Sequence, residues 1–294
     1  MMQFLNVGLS EGPDEFLDYL SEEADNLEEK GFEYKVAVDD TKDSVMITLL
    51  TEENYDSLKK LVCCTLASYI IKKYEERILG RIINSHYFYF NNPERKNILK
   101  LALSLTKKSE SSTLGNLFLK HRKKSISEKL NDFFESSNSV ILDGFVNFRL
   151  KDYIKDMEEI VDKAVDEYLM EREYKEFIKL LRYFVDIQEP KYSKINVMSL
   201  PGKKYMLFDE EGREITEDCI CEFMKEIKDG EINQDDLLVS SLITMSPKNI
   251  IIHNINTFSN KELLETIRNV FSDKIIICEG GCSLCLGSNF LLLQ

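Results

Sequence analysis

The segment from 249 to 278 constrains the fold of this chain more than any other. "NIIIHN" (249–254) and "KIIIC" (274–278) are short, continuous apolar runs rich in β-branched residues, and "SNKELLETIRNVF" (259–271) between them reads as a capped amphipathic helix. Strands separated by a helix pair in parallel, and such a crossover is right-handed. Both strands then run the same way. His253, near the end of the first, and Cys278, at the end of the second, share one edge of the sheet, where α/β proteins build their sites.

Elsewhere the period of the apolar residues changes along the chain. Residues 1–90 read as a small α+β unit, with a strand at "QFLNV" (3–7), an acidic helix over about 14–29 and a hairpin of "FEYKVAV" (32–38) and "SVMITLL" (44–50). A helix over about 53–80 follows, carrying Leu58, Leu61, Val62, Leu66, Tyr69, Ile70, Tyr74 and Ile78. Residues 91–190 show almost no strand signal. "NNPERKNILKLALSLTKK" opens with an Asn cap and a first-turn proline, a Ser-rich break follows at 109–116, and helix resumes over about 117–135. From Asp143, a cap, to Pro190, a stop, one stripe runs through Phe145, Phe148, Tyr153, Met157, Val161, Ala164 and Tyr168 and on through Tyr174, Phe177, Ile178, Leu181, Phe184 and Val185. Its length predicts a break near 170–173, and its width predicts burial against other helices.

Residues 191–294 return to strands. "KINVMSL" (194–200) and "KYMLFD" (204–209) form a hairpin around "PGK", Thr216 caps a short helix, and a helix over about 234–245 stops before Pro247. The expected fold is therefore a helix-rich α+β chain in three regions: 1–90 α+β, 91–190 helical, and 191–294 α/β with a terminal cysteine cluster.

That cluster is Cys278, Cys282 and Cys285, spaced C-x₃-C-x₂-C, with Gly280 and Gly281 permitting a tight turn. With His253 the three thiolates compose a Cys₃His zinc set; alone they suit an iron–sulfur cluster. Cys219 and Cys221 are further candidates for a fourth ligand, although on a helix over 217–228 they point about 200° apart and at most one contributes. A plainer account stands beside this. Free cysteine packs as a small hydrophobe, and a strand ending in Cys with "CSLC" under "FLLL" needs no metal. The spacing also matches radical S-adenosylmethionine enzymes, and "CSLC" matches the thioredoxin-like C-x-x-C. Both place the motif after an early strand with the rest of the fold downstream, whereas here nine residues follow Cys285. Cys63 and Cys64 sit side by side on a helix, point about 100° apart, and read as core packing.

Seven cysteines, an odd number, and an N-terminus without a basic n-region predict reduced thiols or metal ligands in a cytoplasmic protein. No apolar run approaches the roughly 20 residues of a membrane span. The net charge of −14 opposes broad binding to nucleic acid or anionic lipid. Residues 94–129 run against it, most densely at "KHRKKS", where Lys120, Arg122, Lys123 and Lys124 offer a surface to a protein partner or, less favoured, to nucleic acid. A solvated helix face is the alternative. No phosphate-binding glycine loop, nucleophile elbow or H-E-x-x-H pair is present, and the histidines at 86, 121 and 253 are far apart in sequence, so nothing points to catalysis.

Two stretches carry a resemblance. "HYFYFNNPERKNIL" (86–99) resembles the Tyr/Phe-rich segment of the YtxC-like family of sporulation-associated proteins. The run 143–190 resembles that family's most characteristic segment through Gly144, Phe145, Phe148, Arg149, Leu150, Tyr153, Val165, Tyr168, Tyr174, Phe177, Ile178, Tyr183, Phe184, Val185, Gln188 and Pro190. The resemblance implies a cytoplasmic, sporulation-associated protein of endospore-forming bacteria and implies no reaction. Two functional readings follow: a non-enzymatic partner-binding or regulatory protein acting through its helical middle and basic interval, or a zinc- or iron–sulfur-binding or redox-sensing protein built on the terminal cysteines.

Overall fold

The computed structural model describes residues 3–9, 33–39, 44–51, 55–111, 113–200, 204–217, 233–258 and 260–285. The acidic helix expected at 14–29, the "PGK" turn, the helix behind Thr216 with Cys219 and Cys221, and the terminal "FLLL" lie outside them. By packing, the chain divides into two compact units, Met1–Met170 and Glu171–Gln294.

In the first unit, β1 (Gln3–Leu9) pairs antiparallel with β3 (Ser44–Thr51), which forms the expected hairpin with β2 (Glu33–Asp39). Leu5, Val7 and Leu9 alternate along β1 and are buried with Ile47 and Leu49 of β3, so one sheet face is core. Against them pack α1 (Tyr55–His86), α2 (Asn92–Ser111) and α3 (Thr113–Ser136), through Leu58, Val62, Leu66 and Ile70, through Ile98 and Ala102, and through Ile126, Leu130 and Phe134. Asn91 and Glu94 cap α2 reciprocally: Glu94 N–H donates to Asn91 Oδ1 at 3.0 Å, and Asn91 N–H to Glu94 Oε2 at 2.8 Å. The break expected at 109–116 is much narrower, since the chain is helical to Ser111 and again from Thr113.

The helical middle contains a strand that its sequence does not announce. β4 (Ser139–Ile141) pairs parallel with β1 and completes a sheet of order β2-β3-β1-β4. Three residues are too few to display a period; pairing with β1 makes them a strand. α4 (Leu142–Arg149) follows, and α5 runs from Lys151 to Ile187. Asp143 is not the cap. It lies in the first turn of α4, behind Ile141, and accepts from Tyr74 Oη at 3.2 Å. The interruption also falls at Leu150, not at 170–173, and α5 passes the division between units without a break.

The stripe along this run is buried at Phe145, Tyr153, Met157, Val161 and Ala164 and half-buried at Tyr168, while Phe148 is exposed. Beyond the division only part of it is covered: Ile178 and Val185 are buried and Leu181 half-buried, but Tyr174, Phe177 and Phe184 are exposed. The expected burial thus holds for the first half of the stripe apart from Phe148, and for only half of the second.

The second unit is built around the predicted parallel pair. β7 (Asn249–His253), α7 (Lys261–Phe271) and β8 (Ile275–Ile277) follow in order, and β7 and β8 pair parallel from Ile250↔Ile275 to Ile252↔Ile277. The strands of the hairpin, β5 (Lys194–Leu200) and β6 (Lys204–Phe208), join the same sheet, with β5 parallel to β7, giving the order β6-β5-β7-β8. Asn260 caps α7 by accepting from the N–H groups of Glu262 and Leu263. α6 (Gln234–Met245) ends where Ser246 takes a left-handed conformation, just before Pro247. Ile195, Val197, Ile250, Ile252, Ile267 and Phe271 form the centre of this core. The whole is a helix-rich α+β fold with two small mixed sheets.

Candidate metal centre

The parallel register decides where the site lies. β7 ends at His253, and Cys278 follows β8 at the same edge, its N–H donating to the Ile252 carbonyl at 2.9 Å. Gly280 (φ +93°) and Gly281 (φ +80°) then turn the chain through conformations that a side chain would strain. A helical turn at 283–285 brings Cys285 back into the core, where it is 6% exposed. His253 Nδ1 and the three sulfurs finish within 4.8 Å of one another.

The separations have a recognisable scale. Cys278 Sγ stands 3.6 Å from Cys282 Sγ and 3.8 Å from Cys285 Sγ; His253 Nδ1 stands 3.4 Å from Cys282 Sγ and 3.3 Å from Cys285 Sγ. Tetrahedral zinc with bonds of about 2.3 Å to sulfur and about 2.0 Å to nitrogen places its ligands about 3.8 Å apart for S···S and about 3.5 Å for S···N. The donors therefore surround a volume suited to one ion. A cluster interposes several iron and sulfide atoms and requires wider spacing.

The imidazole is held in the tautomer a metal needs. Asn196 Nδ2 donates to the Asp209 carbonyl at 2.9 Å, which turns Asn196 Oδ1 toward His253 Nε2 at 3.2 Å. The oxygen can only accept, so Nε2 carries the proton and Nδ1 presents its lone pair to the sulfurs. Burial, with the charge of Lys194 adding to it, lowers the His253 pKa and keeps the ring neutral at pH 7.

The sulfurs divide in the opposite sense. Burial first, then hydrogen bonds and charge from Cys282 and Cys278, push the Cys285 thiol up to about 12. At Cys282 partial burial also works upward, but hydrogen bonds from the Cys285 backbone N–H (3.3 Å) and from the neighbouring thiols hold the group below its usual value. Loss of the proton is eased at Cys282 and opposed at Cys285. A divalent cation removes that conflict, because it stabilises all the thiolates together.

Asn196 and Asp209 were not among the residues singled out in the sequence. The available signal is one Asn inside the otherwise apolar strand "KINVMSL"; it is buried, and a buried amide needs partners.

The basic candidates are split. Lys120, Lys123 and Lys124 are exposed on α3, Lys124 pairing with Glu128 at 3.7 Å. Arg122 points the other way. It is buried and donates to Glu75, whose Oε1 also accepts from Tyr153 Oη at 2.8 Å. Cys63 is buried, and burial pushes its thiol up to about 12, in keeping with packing; Cys64, expected in the core, is exposed beside Ser127. No described helix is long and apolar enough to cross a membrane.

The two stretches that carry the family resemblance meet in the first unit. Tyr87 Oη donates to Asp162 at 2.6 Å, Tyr168 Oη to Glu94 at 3.2 Å, and the Phe90 and Tyr168 rings pack edge to face with centroids 5.7 Å apart. A model of the YtxC-like family matches residues 60–276. The chain belongs to the YtxC-like family. It is 26% identical over 216 residues to a protein of Bacillus subtilis (strain 168) described as "Uncharacterized protein YtxC", covering 71% of this chain and 73% of that one. No solved structure matches. His253 falls inside the matched span, whereas Cys278, Cys282 and Cys285 lie beyond it.

Proposed function

We propose that this chain is a non-enzymatic zinc-binding protein in which His253, Cys278, Cys282 and Cys285 close a Cys₃His site at the end of the parallel strand unit. One observation carries the reading: all four donor atoms lie within 4.8 Å of one another, and four of their six separations, S···S of 3.6 and 3.8 Å and N···S of 3.3 and 3.4 Å, have the scale of a single tetrahedral ion. The same spacing favours zinc over an iron–sulfur cluster. Four protein donors fill the coordination shell, so the metal fastens the glycine loop to the sheet edge and leaves no open position for a substrate. The setting proposed with it is a cytoplasmic protein connected with sporulation, as the family resemblance implies. Elemental analysis of the full chain, purified anaerobically without chelators, tests the reading. It predicts about one zinc per chain and almost none in a Cys282→Ser/Cys285→Ser variant. A folded wild-type chain free of metal refutes it.

A second reading is kept for the first unit. Lys120, Lys123 and Lys124 are exposed on α3 while Arg122 is directed inward, so three of the four basic candidates face solvent, where an acidic protein surface could meet them. Binding that survives reversal of all three lysines to glutamate would remove this reading.

A further inference from the structure

The four donors are unequally sheltered. His253 and Cys285 are 3% and 6% exposed, whereas Cys278 and Cys282 are only half-buried and sit 3.6 Å apart, closer than Cys278 and Cys285 at 3.8 Å. An oxidant arriving from solvent meets Cys278 and Cys282 first. Between them lie Glu279, Gly280 and Gly281, and the two glycines give that loop the freedom to draw the sulfurs together.

We infer that the site is a hydroperoxide-sensitive zinc switch, in which Cys278 and Cys282 oxidise to a disulfide and release the metal while the Cys285 thiol stays reduced. The inference rests on the zinc reading above. One thiolate of the pair attacks the O–O bond of a hydroperoxide; an S–O bond forms, the O–O bond breaks, and the departing alkoxide or hydroxide takes a proton. The second thiolate attacks the resulting sulfenic acid at sulfur; the S–S bond forms, and hydroxide leaves and is protonated to water. Two electrons pass from the two sulfurs to the peroxide, with two protons consumed. Zinc keeps two of its four protein ligands, too few for a closed site. The chain that follows Cys278 is then no longer tied to β7 through the metal.

The test uses the full zinc-loaded chain, hydrogen peroxide as the probe and a chromogenic zinc chelator as the readout. Zinc is quantified before oxidant is added. Differential alkylation read by tandem mass spectrometry then assigns each thiol, and exposed Cys64 reports how far oxidation has proceeded. The expected result is loss of about one zinc per chain together with two thiols, those of Cys278 and Cys282, and recovery of zinc binding after reduction and zinc resupply. Zinc retained when Cys64 is already oxidised overturns the switch and leaves the zinc site intact. A disulfide that uses Cys285 overturns the pairing. A chain without zinc at the start overturns both the switch and the reading beneath it.

Discussion

Each unit buries a polar cluster, and the two clusters close their charge differently. In the first, the Glu75 carboxylate accepts from the Arg122 guanidinium and from Tyr153 Oη, whose pKa burial and Glu75 together raise, so that it remains a neutral donor. Cation, anion and donor are all supplied by the chain. In the second, three thiols and a neutral imidazole converge, with proton loss eased at Cys282 and opposed at Cys285. Both clusters are hydrogen-bonded, the first buried throughout and the second buried at His253 and Cys285 but only half-buried at Cys278 and Cys282. Only the second consists of soft donors whose charge a metal ion would complete.

The largest effect expected from this contrast is on the second unit alone. Chelation of zinc, or the Cys282→Ser/Cys285→Ser variant, removes metal binding, which in zinc-finger peptides amounts to about 10–16 kcal/mol. Hydrogen exchange should show loss of protection in β7 and β8 with α1 and α3 unchanged. The converse is Glu75→Ala, which removes the carboxylate that the buried Arg122 guanidinium and Tyr153 Oη both donate to, and should destabilise the first unit by about 3–5 kcal/mol in chemical denaturation. Zinc content should not move. An effect of either change on the other cluster would break the comparison.

Smaller effects sharpen it. Asn196→Ala frees the imidazole to rotate and change tautomer, and should weaken zinc binding about 10- to 100-fold in competition with a chromogenic chelator. In the metal-free chain the His253 pKa is lowered from 6.5, so the unfolded state binds more protons than the folded state below that value. Stability of the apo chain should accordingly be retained above pH 6.5 and fall as pH drops through it, and thermal melts of His253→Asn should show less of this dependence. Least of all, reversing Lys120, Lys123 and Lys124 to glutamate should alter stability by no more than about 0.5 kcal/mol while abolishing capture of an acidic partner.

These clusters were not equally legible in the sequence. The terminal site was, because the apolar runs at 249–254 and 274–278 announce parallel strands, and parallel strands bring His253 and Cys278 to one edge. Gly280 and Gly281 marked the turn. The Glu75–Arg122–Tyr153 cluster was hidden because its members lie 47 and 78 residues apart on three helices, where nothing local separates an inward arginine from the exposed lysines around it. β4 was hidden for a related reason: its partner β1 lies more than a hundred residues away. The stripe of α5 was read correctly as helical, but period alone does not say how much of a helix face finds a partner.

The central claim is that four named donors enclose a single zinc ion. X-ray absorption at the zinc edge of the intact, anaerobically purified chain tests it most directly. The account predicts a first shell of three sulfurs at about 2.3 Å and one imidazole nitrogen at about 2.0–2.1 Å, without a metal neighbour. A shell dominated by oxygen and nitrogen, or a chain that takes up no zinc while folded, would contradict it.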